Sequence, residues 1–213
     1  MVVVYLHGFA SGPGSSKAAW FSERLASHGI TTRCPDFNAP DFSTLTISRM
    51  LAQLDAELQG IEEPVAVIGS SLGGTLAILA ADRFPDRIDR VVLLAPAVMF
   101  AKPGHHLLPP ERIEEWRRKG ALPFFHYAHN REQLLNFGFY EDSLSYDPFV
   151  AALVQPALIF QGLRDTSVVP ATVERFVRGR PNVTLSLLED DHQLLASLPR
   201  IWNDVAPFLG AGD

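Results

Sequence analysis

Pro64-Val65-Ala66-Val67-Ile68-Gly69-Ser70-Ser71-Leu72-Gly73-Gly74 joins an unbroken apolar run to a serine set between glycines. The run from Pro64 to Ile68 reads as a strand covered on both faces, because no polar residue interrupts it. From Leu72 the chain continues as a helix of small and apolar residues until Phe84-Pro85, where the proline stops it. Between the two elements, Gly69-Ser70-Ser71-Leu72-Gly73 is a Gly-x-Ser-x-Gly pattern in the strand-to-helix context that makes it a sharp, strained turn. Side chains at Gly69 and Gly73 would crowd the adjoining strand and helix, so the spacing predicts a Ser71 hydroxyl held out beyond the strand. The N–H of Leu72, at the positive end of the helix, is then a donor for a developing oxyanion. Ser70, one residue earlier, is expected to face away from the crevice and pack.

Working outward, short β-branched runs alternate with amphipathic segments. Val2 to Leu6 reads as a strand, and Ser16 to His28 as a helix with Ala19, Phe21, Leu25 and Ala26 inward. Ile30 to Arg33 is a second strand, and Leu45 to Leu58 a helix stopped by Gly60. Strands follow at Arg90 to Leu94, Ala157 to Phe160 and Val183 to Leu187, with helices at Ala171 to Arg178 and Leu194 to Leu209. Six strands separated by helix-length segments predict an α/β fold: a mostly parallel sheet with helices on both faces, in a single domain spanning 1–213. The ligand crevice of such a sheet lies beyond the carboxyl ends of its strands.

The rhythm breaks over approximately residues 97–150, which reads as an insertion forming a small helical cap over that crevice. Pro110 to Lys119 starts with proline and acidic residues and ends with basic ones before Gly120, as a helix complementing its own dipole does. The cap aromatics either pack it onto the body or line an acyl pocket. Phe124, Phe125 and Tyr127 are the candidate substrate-binding residues among them.

Composition narrows the partners. The formal charge is −6 and no run of Lys or Arg supplies the electrostatic footprint of nucleic-acid binding. Val2 to Leu6 is too short for a membrane span, and no signal-peptide order follows it, so a cytoplasmic location is expected. Cys34 is the single cysteine and reads as a small buried hydrophobe, which leaves no internal disulfide and no thiolate cluster for zinc. No carboxylate or cysteine pattern completes a metal site around His105, His106, His126 or His129, and none is expected.

A serine hydroxyl is a weak nucleophile near neutral pH, so a base must take its proton and an acid must orient the base. In the fold that carries this elbow the acid and then the histidine follow the serine along the chain. Asp165 lies just beyond the strand Ala157 to Phe160, and His192 just beyond Val183 to Leu187. No carboxylate follows Leu94, in Ala95-Pro96-Ala97, which favours Asp165 over an earlier position. Asp190 and Asp191 stand too close to His192 to reach round its ring and read as solvated loop charge, while Asp147 reads as a helix cap or turn residue. His105, His106, His126 and His129 fall in the insertion and are weaker candidates for the base.

The first strand runs into His7-Gly8-Phe9-Ala10-Ser11-Gly12-Pro13-Gly14, which points to the N–H of Phe9 as the second oxyanion donor beside Leu72. His7 is expected to brace this loop. A phosphate loop is disfavoured because no Gly-Lys-Ser or Gly-Lys-Thr ending is present.

Tyr5-Leu6-His7-Gly8-Phe9-Ala10-Ser11, Gly14-Ser15-Ser16-Lys17-Ala18 and Ile68-Gly69-Ser70-Ser71-Leu72-Gly73-Gly74 together resemble the short bacterial esterases called YqiA-like, within the α/β-hydrolase superfamily. Gly162-Leu163-Arg164-Asp165 and Asp191-His192 support the resemblance, and the insertion is its vaguest part. The resemblance implies an α/β-hydrolase fold, no cofactor, small acyl ester or thioester substrates, and Ser71, Asp165 and His192 as the triad. An acyltransferase using the same triad, and a non-catalytic binding module on the same fold, remain as alternatives.

Overall fold

The computed structural model describes residues 1–100 and 108–211. His105 and His106 lie outside the described residues. Val2–Leu6 forms β1, Ser16–Ser27 α1, Thr31–Arg33 β2, Ile47–Gln59 α2, Val65–Ser70 β3, Leu72–Arg83 α3 and Ile88–Leu94 β4. Pro110–Lys119 (α4), Ala121–His126 (β5), Arg131–Asn136 (β6) and Gly138–Ser143 (α5) make up the insertion. Ala157–Gly162 (β7), Pro170–Val177 (α6), Val183–Leu188 (β8) and Leu198–Phe208 (α7) complete the body. This is the α/β-hydrolase fold.

The main sheet has six strands in the order β2-β1-β3-β4-β7-β8, and every pairing in it is parallel. The chain leaves β1 for β2 on one side and returns to β3 on the other. That reversal of direction opens a crevice above the ends of β1 and β3, where Ser71 and the loop after Leu6 stand.

Alternation along the strands splits the core in two. Val65 and Val67 of β3 pack with α2, α3 and the insertion, while Ala66 and Ile68 pack with α1 and α7. Fully burying a residue such as Ile68 or Val67 stabilises the fold by about 1.5 to 3 kcal/mol. Residues Leu72 to Ala81 of α3 are all buried, so this helix lies inside the molecule between the sheet and its neighbours. Such burial explains why its sequence carries no polar stripe.

Two elements depart from the expected pattern. The middle of the insertion is an antiparallel ribbon, β5 paired with β6 from Ala121↔Asn136 to His126↔Arg131, so the cap is mixed, and among its described residues α4 and the short α5 are the α-helices. Its cause is a period of two: Leu122 and His126 are buried and Phe124 half-buried, whereas Pro123 and Phe125 face outward. The last helix begins at Leu198, not near Leu194. Pro199 occupies its first turn, and the preceding residues form an irregular loop in which Leu194 has φ of +56°.

Candidate active site

Ser71 follows β3 with φ +54° and ψ −114°, a conformation that costs a non-glycine residue strain and is imposed by its neighbours. Its N–H donates to the Leu94 carbonyl at 2.9 Å, and its carbonyl accepts from Gly74 at 2.9 Å and Ala97 at 3.0 Å. The flanking glycines permit this turn by their lack of a side chain. A Cβ on Gly73 would lie 2.0 Å from the Leu6 carbonyl oxygen, and one on Gly69 would lie 2.4 Å from the Gly73 carbonyl oxygen. The helix therefore crosses directly over the end of β1, and brings the loop after β1 against Ser71.

The structure brings Ser71, His192 and Asp165 into one hydrogen-bonded row. His192 Nε2 stands 3.0 Å from Ser71 Oγ, and its Nδ1 stands 2.8 Å from Asp165 Oδ2. The same Oδ2 accepts from the Gln161 amide at 2.9 Å, and Oδ1 accepts from the N–H groups of Ser167 and Val168, each at 2.8 Å. Burial pushes the Asp165 carboxyl upward, but the bonds from His192, Val168 and Gln161 outweigh it and hold the group below its ordinary range. A carboxylate engaged at both oxygens can only accept, so the hydrogen-bond network assigns the proton to His192 Nδ1 and leaves Nε2 to accept from the Ser71 hydroxyl.

Gln161 had no place in the sequence reading. Its signal was a polar residue within an otherwise apolar strand, and its side chain also donates to the Val168 carbonyl at 3.0 Å, which locks the turn that carries Asp165. Asp190 likewise differs from the expected solvated charge. It is buried and accepts from Asp191 N–H and Ser197 N–H, at 2.8 Å each, and so shapes the loop that presents His192. Asp191 accepts from Gln193 N–H at 2.8 Å, and Asp147 accepts from Phe149 N–H at 2.9 Å as a turn residue does.

Gly8 and Phe9 border the crevice beside Ser71 and His192. The Gly8 position is so close to the elbow that a Cβ there would lie 3.5 Å from Ser71 Cβ. Leu72 N–H, as the first of its helix, has no intrahelical acceptor. The loop after β1 is tied down on several sides. His7 Nε2 accepts from Phe37 N–H at 3.2 Å, Asn38 donates to the Ser11 carbonyl at 2.7 Å, and Tyr127 N–H donates to the Ala10 carbonyl at 2.8 Å. His7 Nδ1 then donates to the Gly8 carbonyl at 3.0 Å, and burial holds this imidazole below its ordinary pKa, in the neutral form those contacts need.

The crevice encloses about 1120 Å³. Segments after β4 and β7 give it an apolar wall of Met99, Phe100, Val168 and Val169, while the loop after β1 and Asn38 after β2 make the opposite wall polar. Ser70 and Tyr5 are also among its bordering residues, and both are buried. Of the three cap aromatics, Tyr127 reaches the crevice, with Ala128 and His129 beside it. Phe124 is spent on packing: its ring lies 5.5 Å from that of Phe9 and 5.0 Å from that of Trp116. Phe125 points outward and touches Tyr127 edge-on. His126 is buried beneath His129, with centroids 4.3 Å apart. Among the described residues no group of three or more His, Cys, Asp or Glu is placed to hold a metal ion, and no helix is long and apolar enough to cross a membrane.

Solved structures share this architecture at low sequence identity. Est1E from Butyrivibrio proteoclasticus, with ferulic acid bound, superposes with a TM-score of 0.83 at 21% identity, covering 98% of this chain and 87% of that one. Mouse alpha/beta hydrolase domain-containing protein 10 gives 0.81 at 21% identity, covering 99% and 90%. The monoacylglycerol lipase of Paleococcus ferrophilus gives 0.81 at 16%, covering 98% and 93%. No curated protein matches the chain in sequence. One family model does, over residues 2–136, a stretch that holds β1, its loop, the elbow and the cap ribbon. By that match the chain, an α/β hydrolase in architecture, belongs to the family described as Uncharacterised protein family (UPF0227).

Proposed function

We propose that the protein is a serine hydrolase that cleaves a small carboxylic ester or thioester through an acyl-enzyme on Ser71. The observation that carries this reading is the row of contacts from Ser71 Oγ to His192 Nε2 at 3.0 Å and from His192 Nδ1 to Asp165 at 2.8 Å, at the tip of a strained elbow. His192 takes the hydroxyl proton as Ser71 Oγ bonds to the substrate carbonyl carbon, and Asp165 stabilises the imidazolium that results. The carbonyl oxygen gains the negative charge, for which the N–H groups of Leu72 and Phe9 are the donors. Collapse expels the alcohol or thiol, which leaves with the proton from His192. Water then enters by the same route in reverse, and releases the carboxylic acid and the free serine. The apolar wall of Met99, Phe100, Val168 and Val169 suits a hydrocarbon group on one side of the ester. Est1E, similar in fold, holds a carboxylic acid, the kind of molecule such a reaction releases.

Hydrolysis of a short p-nitrophenyl ester tests the proposal. Ser71→Ala is expected to lower turnover by about 10⁶-fold, and a fluorophosphonate probe to label wild-type protein at Ser71 alone. Wild-type turnover in Ser71→Ala would sink the reading.

A further inference from the structure

Lys17 is 8% exposed, in the first turn of α1, and yet borders the crevice. Its ammonium donates to the carbonyl of Gln193 at 3.0 Å, across 176 positions of sequence. Gln193 is the residue after His192. The helix that carries Lys17 is the continuation of the loop after β1, so this one bond joins the two segments that flank the Ser71 hydroxyl. The charges facing the ammonium are those of Asp165, Asp190 and Asp191, from the loops after β7 and β8.

Packing alone does not account for a lysine here. Burying an ammonium is costly, and a methionine would fill similar volume without that cost. Burial does press the group down to about 8, against the pull of the three carboxylates. The rest of the His192 loop is held to the same side of the molecule as Asp165. Arg164 N–H donates to the Asp190 carbonyl at 3.0 Å, and Asp190 caps Ser197. Lys17 supplies the tie on the other side.

We propose that Lys17 is a positioning residue that pins the His192 loop to the start of α1 and thereby fixes the imidazole over Ser71. Its charge also faces the carboxylates of Asp165, Asp190 and Asp191, the first of which is the hydrogen-bond partner of His192. The consequence for turnover rests on the roles given above to Ser71, His192 and Asp165; the tie itself does not.

The test compares Lys17→Met and Lys17→Gln, which remove the charge, with Lys17→Arg, which keeps it. Amide exchange is read at Gln193 and Leu194, whose N–H groups bond to Asp191 at 2.8 and 3.3 Å. Loss of the tie is expected to speed that exchange about tenfold in either neutral variant that folds, and to lower kcat about tenfold to a hundredfold with KM within about twofold. Lys17→Arg is expected to recover most of the kcat. Wild-type exchange at both amides in a folded neutral variant overturns the proposal, as does wild-type kcat in that variant. Should the wild-type protein hydrolyse no ester, the serine-hydrolase reading falls and the exchange measurement still decides the role of Lys17.

Discussion

Asp165 is held by more than its histidine. Gln161 reaches it from inside β7 and braces the turn behind it through the Val168 carbonyl. Removing a donor to a buried charged acceptor costs about 1.5 to 3 kcal/mol, so Gln161→Leu is expected to lower kcat by about tenfold to a hundredfold. Steady-state kinetics beside a melting curve will separate that loss from unfolding. Gly73→Ala is a harsher change, because the new methyl group meets the Leu6 carbonyl at 2.0 Å and backbone cannot step aside. A stability loss of about 3 kcal/mol or more is expected, read as the urea midpoint. These two residues show what a sequence makes visible at this scale. Gly69, Ser71 and Gly73 announce themselves through spacing, and the positions of Asp165 and His192 after strands follow from chain order. Gln161 belongs to no pattern, since its partners come from the chain folding back on itself between Gly162 and Val168.

The cap is the element whose character was least legible. Pro110 and Gly120 bound α4 in plain view, and Gly120 adopts a φ of +76° as a helix-ending glycine does. The ribbon β5 to β6 was hidden by Phe124-Phe125, where adjacent aromatics mask the alternation that sends one inward and the other to solvent. Trp116 is the keystone of this element: its ring contacts Phe124, Phe137 and Phe139, and its Nε1 donates to the Leu135 carbonyl at 2.8 Å. Trp116→Ala is expected to cost about 3 to 5 kcal/mol. Phe9 lies 5.5 Å from both Phe124 and Phe139, so the same change is expected to lower kcat as well, by loosening a backbone position proposed to hold the oxyanion. Denaturant titration and kinetics on the one variant will show whether both effects appear together.

At the scale of the molecule, the alternation of strands and helices made the six-stranded sheet readable, because a doubly covered strand must be apolar throughout. Buried polar groups were not readable, and they set the acid response. His7 and His126 are both buried and held below the ordinary histidine value of 6.5, by desolvation first and for His126 also by His129 and His7. The unfolded chain therefore takes up protons below 6.5 that the native state refuses, and stability falls as pH falls from there. Asp165 and Asp190 act lower. Burial pushes both up and hydrogen bonds more than reverse it, so the stability they contribute above 3.8 is lost as pH drops through their depressed values. Melting temperature against pH is expected to decline in two stages, and His126→Phe, which removes two unpartnered ring nitrogens, is expected to flatten the first. The order β2-β1-β3-β4-β7-β8 carries one more consequence, for how the molecule is born. Ser71 stands beyond an inner strand formed early in the chain, whereas His192 hangs from β8, an edge strand with a single neighbour contributed by the last third of the chain. Parallel pairing over such separations is slow to form. A refolding sample should bury Trp116, whose ring partners all precede β7, before it gains the power to react with a fluorophosphonate, so the chemistry reports the arrival of the final strand.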